Sequence, residues 1–394
     1  MEPLLRKYEQ KLETAGLAEP GSALLAGLDD ELVWSRADEV QDFLRPLFGR
    51  LPINSLVFVR PGEPYRLVLE ELCGPGVDVL SPQDCETRTF LHDIPVVEAG
   101  DFEALAGALA RRKGAVVRGL GLAAHGSVSP EQGFVTVSSI LFAATVKLFG
   151  DALADARRGG LGRRRQALLA RVESLLPPTP EAAPKLMRGP FSDEASARAA
   201  MDEAGAHTVR LGLVDSYFGN ISCRLGDVVH ISQTGSSLDE LAGAIDPCPM
   251  DDSSCAGLTA SSELTAHAEV YRRSDASAIL HGHPRFSVVL SMDCPRLDCP
   301  ERGRCFAACP EERFAGGAPV VPGEVGTGPA GLCHTLPPAL DGRRAAVVLG
   351  HGVFATGRAD FNEAFQALLD VESASRRECM RRLGGGSDFG AGRG

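Results

Sequence analysis

Two stretches of this 394-residue chain repeat one pattern. A repeat of that size restricts the fold more than any single motif does. The first stretch, KGAVVRGLGLAAHGSVSPEQGFVTVSSILFAATVKLF, runs from Lys113 to Phe149. The second, RRAAVVLGHGVFATGRADFNEAFQALLDVESASR, runs from Arg343 to Arg376. Each reads as an apolar strand, a Gly-x-Gly turn, a second short strand, a polar break and an amphipathic helix. Gly119 and Gly121 correspond to Gly350 and Gly352, and Gly126 to Gly357. Upstream, IPVV (Ile94 to Val97) parallels APVV (Ala318 to Val321), and ALARRKGAVV parallels ALDGRRAAVV. An ordered series of matches points to a duplicated unit. At the turn the copies part: Leu120 stands where the second copy has His351.

The length suits two domains, and LLPPTPEAAPKLMRGP, from Leu175 to Pro190, is the punctuated stretch best suited to join them. The expected division is a first domain over 1–155, a linker over 156–190, a second domain over 191–383 and a disordered tail over 384–394. The short basic cluster from Arg157 to Arg165 reads as part of a solvated linker. In the first half, Asp84, Glu86, Arg88, His92 and Asp93 read as a solvated loop tied by ion pairs, or as polar groups lent to the second half's site. Ile140, Leu141, Phe142 and Val146 are candidates for burial. Mixed helices and strands without regular βαβ repetition suggest helices covering a largely antiparallel sheet.

A formal net charge of -12 argues against a general nucleic-acid binder, which needs clustered Lys and Arg. The N-terminus, MEPLLRKYEQKLETAG, lacks an apolar signal core, and no uninterrupted apolar run of about 18 residues follows, so a soluble cytoplasmic chain away from membranes is expected. Eleven cysteines in such a chain are poorly explained by disulfides. Cys294, Cys299, Cys305 and Cys309 crowd into a Cys-rich segment, 292–313. They could ligate a structural zinc or an iron–sulfur cluster, or be free thiols in a surface loop.

His281 and His283 flank a glycine after the apolar run AIL. Alternation along a strand sends residues two apart to the same side, so both imidazoles can reach one metal ion. A buried structural pair would look the same. His351 sits in a Gly-His-Gly turn, and three imidazoles suit an open catalytic metal site. In SSELTAHAEVYRR, Ser261 and Ser262 lie at a helix start, where unpaired N–H groups favour an anion. Glu263 reads as a first-turn acid complementing the helix dipole, or as an acid–base group.

Together, GNIS (Gly219 to Ser222), ISQTGSSLDEL (Ile231 to Leu241), SSE (Ser261 to Glu263), HGH (His281 to His283) and GHG (Gly350 to Gly352) resemble the class II aldolase/adducin family. The likeness covers about Asp193 to Arg382 and is nearest the fuculose-phosphate and rhamnulose-phosphate aldolase branch. It implies an α/β fold, a three-layer α/β/α domain around a largely antiparallel sheet, here in two tandem copies with the first degenerate. It implies zinc held by His281, His283 and His351, a catalytic Glu263, and a phosphate pocket of Asn220, Thr234, Gly235, Ser261 and Ser262. The implied function is a zinc-dependent aldolase, a lyase of carbohydrate metabolism acting on a small phosphorylated ketose through an enediolate, in a homo-oligomer. Epimerases, dehydratases and decarboxylases use the same fold, and adducin-like assembly modules lack the metal set. Two features depart from the family: the Cys-rich insert, and the lack of a tyrosine in the region that delivers a proton in sugar-phosphate aldolases. The four tyrosines are Tyr8, Tyr65, Tyr217 and Tyr271.

Overall fold

The computed structural model describes residues 1–384 apart from Ser216, Asp252, Ser254 and Leu297. The tail expected to be disordered lies, from residue 385 on, outside the described residues. The chain divides into two compact units, residues 1–149 with 167–176, and residues 150–166 with the chain from Pro177 on.

The first unit runs α1 (Glu2–Thr14), β1 (Leu24–Leu28), β2 (Leu32–Trp34), α2 (Gln41–Leu44), α3 (Leu47–Arg50), β3 (Ser55–Val59), α4 (Tyr65–Leu72), β4 (Val79–Leu80), β5 (Ile94–Glu98), α5 (Phe102–Arg111), β6 (Gly114–Arg118) and β7 (Gly121–Gly126). It then enters α6 (Pro130–Arg157), and α7 (Arg163–Leu175) follows. The second unit runs α8 (Glu194–Arg210), β8 (Asn220–Leu225), β9 (Val228–Ser232), β10 (Ile245–Pro249), α9 (Leu264–Arg273), β11 (Ala278–Gly282), α10 (Arg285–Met292), β12 (Arg313–Ala315), β13 (Ala318–Val321), α11 (Leu332–Leu340), β14 (Ala345–Val348), β15 (Gly352–Gly357) and α12 (Phe361–Arg382).

The two sheets repeat one topology. Strand order is β2-β1-β3-β7-β6-β5-β4 in the first and β10-β9-β8-β11-β15-β14-β13-β12 in the second. Strand for strand they match, with β10 added at one edge. Each sheet is antiparallel except for one parallel pair, β5 with β6 and β13 with β14, which hold corresponding places. Helices also fall in matching intervals: α5 joins the parallel pair of the first unit, and α11 that of the second. The parallel crossover needs a helix because its strands point the same way.

In the second unit α12 packs on α8 and α10, while α9 packs on α11, with the sheet between the two sets. The α9 and α11 side buries Ile231, Ile279, Val348 and Phe354 against Val270, Tyr271 and Leu336. Ile279 and His281 lie two apart on β11. The strand that supplies core on this face therefore carries the histidine at its end.

Several sequence expectations are corrected here. Within the stretch expected as linker, 163–175 is the helix α7, whose Leu169 and Val172 are fully buried. The expected solvated loop is buried at Asp84 and Glu86. The Asp84 carboxylate accepts from the Thr87 N–H at 3.0 Å and its hydroxyl at 2.8 Å, which anchors a π-helical turn over Thr87–Leu91. An ion-paired member does occur, with Asp93 bonded to Arg112 at 2.5 Å. Ile140, Leu141, Phe142 and Val146 are all buried. Their helix, α6, is long and apolar enough to cross a membrane by composition, but its apolar window is 83% buried within the protein. The strand β10, IDPCP, was not foreseen, since proline lacks the N–H that a ladder uses. It sits at the sheet edge, where that loss is tolerated.

Candidate metal centre

β11 pairs with β8 on one side and β15 on the other, placing His281 opposite both Asn220 and Phe354. His283 follows one residue beyond the strand. β14 and β15 are joined by a turn in which Gly350 has φ +68° and His351 stands at the apex. An L side chain rarely adopts that conformation, so Gly350 lets the chain reverse. Its N–H donates to Ser291 Oγ at 2.8 Å, which fixes the turn to α10. At Gly352 a Cβ would meet the Gly282 carbonyl oxygen at 2.3 Å, His281 Cε1 at 2.8 Å and His283 Cδ2 at 2.8 Å. The glycine is what lets the turn close over the histidine pair.

Three imidazoles consequently converge. One ring nitrogen from each of His281, His283 and His351 lies within 4.8 Å of the others, and all three residues are buried. The Nε2 atoms of His281 and His283 are 3.0 Å apart. His281 Nδ1 lies 3.1 Å from the Val353 carbonyl oxygen, which accepts a hydrogen bond from its N–H and leaves the Nε2 lone pair facing inward. The His281 ring stacks on Phe354 with centroids 3.9 Å apart. Burial lowers the affinity of both rings for protons, with His281 well below the usual histidine range and His283 down to about 3. Neutral, inward-facing nitrogens are the donor set a divalent metal requires.

Glu263 joins the cluster from the residue preceding α9. Its Oε1 is 3.4 Å from His351 Nε2 and its Oε2 is 3.6 Å from His281 Nε2. The Asn220 amide donates to Oε2 at 2.6 Å. Burial raises the proton affinity of Glu263, opposed by His351 and by the Asn220 hydrogen bond.

Several of the residues expected to hold phosphate are linked to one another and to Glu263 by hydrogen bonds. The Ser262 N–H donates to Thr234 Oγ1 at 3.0 Å, and Thr234 Oγ1 donates to the Ala260 carbonyl at 3.0 Å. Gly235, with φ +71°, turns the chain beside Thr234. One expectation is corrected. The N–H groups of Ser262, Glu263 and Leu264 are paired, to Thr234 Oγ1, Ser261 Oγ and the Ser261 carbonyl. A turn precedes the helix and consumes the donors that a bare helix start would expose. With the Thr234 hydroxyl donating to the Ala260 carbonyl, this corner offers an anion the hydroxyls of Ser261 and Ser262.

The four insert cysteines do not assemble into the second metal site considered from sequence. Among the described residues no group of converging ligand atoms includes Cys294, Cys299, Cys305 or Cys309. Cys305 and Cys309 thiols turn instead to the backbone carbonyls of Glu301 and Glu311.

Sequence reasoning missed two polar residues beside the histidines. A carboxylate oxygen of buried Asp215 lies within 4.8 Å of a ring nitrogen of His283. His267, one turn after Glu263, is fully buried, with Nδ1 at 2.7 Å from Ser222 Oγ, which in turn meets the Tyr271 hydroxyl at 2.7 Å. The spacing Glu263, His267, Tyr271 is the signal that could have found this stripe, since residues four apart share a helix face.

The register of the first unit identifies its equivalent positions. Ser55 pairs with Gly126 as Ala278 pairs with Gly357, so Phe58 stands for His281, and Arg60 then stands for His283. Leu24 pairs with Phe58 as Asn220 pairs with His281. Val40 precedes α2 as Glu263 precedes α9. Leu120 holds the His351 position, after Gly119 with φ +69°. Leu24, Val40 and Phe58 belong to one buried apolar core, against which Leu120 packs. Apart from Arg60, the polar centre of one unit is thus replaced by apolar residues of the hydrophobic core in the other.

The family model described as Class II Aldolase and Adducin N-terminal domain matches residues 199–379. The chain is 30% identical over 132 residues to the 3,4-dihydroxyphthalate decarboxylase of Terrabacter sp., covering 33% of this chain and 54% of that protein. It is 29% identical over 178 residues to a 5-methylthioribulose-1-phosphate/5-deoxyribulose-1-phosphate aldolase of Rhodospirillum rubrum, covering 44% of this chain and 76% of that protein. The match thus spans about half the length of the first relative. Among solved structures, the l-fuculose-1-phosphate aldolase of Thermus thermophilus is 27% identical, covered completely by 50% of this chain, with a TM-score of 0.40.

Proposed function

Over residues 199–379 the chain belongs to the class II aldolase and adducin family, and from that premise we propose that it is a zinc-dependent lyase of carbon–carbon bonds. The proposed substrate is a small phosphorylated ketose. The observation that carries this reading is the position of Glu263, whose two oxygens lie 3.4 and 3.6 Å from metal-facing nitrogens of His351 and His281.

His281, His283 and His351 would hold the zinc. When bound, zinc supplies positive charge beside the oxygens of a developing enediolate, without a covalent intermediate on the protein. In cleavage, the hydroxyl on the carbon that leaves gives its proton to Glu263. The carbon–carbon bond breaks, its electron pair passes into the enediolate, and an aldehyde departs. Glu263 then returns a proton to the enediolate carbon, giving the ketone product. Burial raises the proton affinity of Glu263, which favours its holding a proton between the two steps. The Asn220 hydrogen bond keeps it oriented. Ser261 and Ser262 provide hydroxyls for the substrate phosphate, and Thr234, with the turn at Gly235, positions Ser262 through its N–H.

A decarboxylase reading has specific support. One relative is named as a decarboxylase, and of the two tyrosines in the second unit, Tyr271 is buried and donates to the Ser222 carbonyl at 3.0 Å. Loss of carbon dioxide leaves a carbanion that needs one proton, which Glu263 alone can deliver.

The test incubates zinc-loaded protein in deuterated water with a panel of phosphorylated ketoses and hydroxylated aromatic carboxylates. Zinc-dependent deuterium uptake or bond cleavage in the ketoses supports the aldolase reading, and carbon dioxide release supports the second. A protein that binds no metal and leaves both sets unchanged overturns both.

A further inference from the structure

The first unit holds none of the metal ligands yet has a cavity beside the corresponding place. A hollow of about 490 Å³ is lined by Arg60, Pro61, Leu69, Cys73, Val117 and Leu120, with Gly119 and Gly121 at the turn. Arg60 and Pro61 stand where His283 and Pro284 stand in the second unit, and Leu120 where His351 stands. The cavity therefore adjoins the counterpart of the metal centre and shares the positions of Arg60 and Leu120 with it. Its volume falls within the range of small-molecule sites, roughly 300–1,000 Å³.

The charges around it decide what it can hold. Arg60 is engaged by Asp38 through two hydrogen bonds, at 3.0 and 3.1 Å, and its guanidinium lies over the Phe58 ring at 5.5 Å. Arg66 donates to Glu70 at 3.0 Å and pairs with Glu63. Arg118 donates to Glu98 at 2.7 Å and to the Val77 carbonyl at 2.9 Å, and also bonds the carbonyls of Cys73 and Gly74. An anion would have to break one of these pairs, and a cation would face three guanidiniums. Glu19 also lines the cavity and faces Arg66 at 3.9 Å, and the remaining wall, with Pro61, Leu69, Val116, Val117 and Leu120, is largely apolar.

We propose that the first unit is a metal-free binding domain whose cavity takes a small, uncharged, largely apolar molecule, such as a simple arene or phenol. Phe58, Leu24 and Val40, which stand in place of the histidine, asparagine and glutamate of the other unit, lie in the buried apolar core against which the cavity residue Leu120 packs. The paired arginines close the rim, where one polar group of the ligand can hydrogen-bond. Binding here is independent of metal and of the second unit's chemistry.

The test uses the full-length chain and ¹⁹F NMR with 4-fluorophenol and fluorobenzene as neutral probes and 4-fluorobenzoate as the anionic comparison. The neutral probes should bind saturably, and the benzoate should bind about tenfold more weakly or worse. Leu120→Trp should abolish binding by filling the cavity, while Leu120→Ala, which enlarges it, should keep binding. Leu120 is partly exposed, so both variants should remain folded, as circular dichroism would verify. His281→Ala should leave probe binding unchanged. No saturable binding of either neutral probe overturns the proposal. So does equal binding of benzoate, survival of binding in folded Leu120→Trp, or loss of binding in His281→Ala.

Discussion

Asn220 and Glu263 are joined by a 2.6 Å hydrogen bond from the Asn220 amide to Oε2 of the carboxylate, linking β8 to the start of α9. Both groups are buried. The bond fixes one oxygen of Glu263 and leaves the other 3.4 Å from His351 Nε2. Replacing Glu263 by Gln preserves the shape and removes the proton carrier. Glu263→Gln should keep fold and metal content while turnover falls by about 10²–10⁴-fold, the usual contribution of a general acid–base group. Near-normal turnover would reduce Glu263 to a helix-start residue.

Metal content should be one equivalent per chain. His281→Ala and His351→Ala should each lose it, because two imidazoles hold a divalent ion far less firmly than three. The combined replacement of Cys294, Cys299, Cys305 and Cys309 by Ser should leave it at one, since those thiols do not converge. Elemental analysis of purified protein reads both results. A second equivalent that vanishes with the cysteines would contradict the arrangement described.

Gly352→Ala tests the close approach at the turn. The added methyl would meet the Gly282 carbonyl oxygen at 2.3 Å, a backbone atom that cannot swing aside. The expected outcome is a chain destabilised by about 1–3 kcal/mol, as overpacking generally costs, with weakened metal binding because His281 and His283 are displaced. An unchanged melting temperature and metal affinity would show that the turn opens freely.

His267 gives a pH dependence with a definite sign. Burial lowers it from 6.5 to about 3, so between those values the unfolded chain binds a proton that the folded chain refuses. Its contribution to stability is therefore full above about pH 6.5 and is lost as pH falls. Relative to His267→Gln, wild-type metal-free protein should lose about 2 kcal/mol on going from pH 7 to pH 5. Parallel melting curves for the two proteins across that range would refute a neutral buried His267.

From sequence alone, the repeat, most elements of the second unit and the three histidines were legible. Local rules govern them: alternation sends His281 and His283 to one side, and Gly350 and Gly352 mark a turn that other residues cannot make. The loss of His351 to Leu120 was equally visible, because it falls inside an aligned pattern. What only the tertiary structure decided depends on pairs far apart in the chain. That Phe58, Val40 and Leu24 replace His281, Glu263 and Asn220 follows from strand register, which is set by the whole sheet. The pairing of the Ser262 and Glu263 N–H groups depends on Thr234 and Ser261 folding back over the helix start. The burial of Asp84 and the failure of the four cysteines to converge are likewise outcomes of packing and loop path, which composition and spacing do not encode. The conversion of one copy's polar centre into hydrophobic core, with a cavity beside it, appears only when both sheets are seen to share one frame.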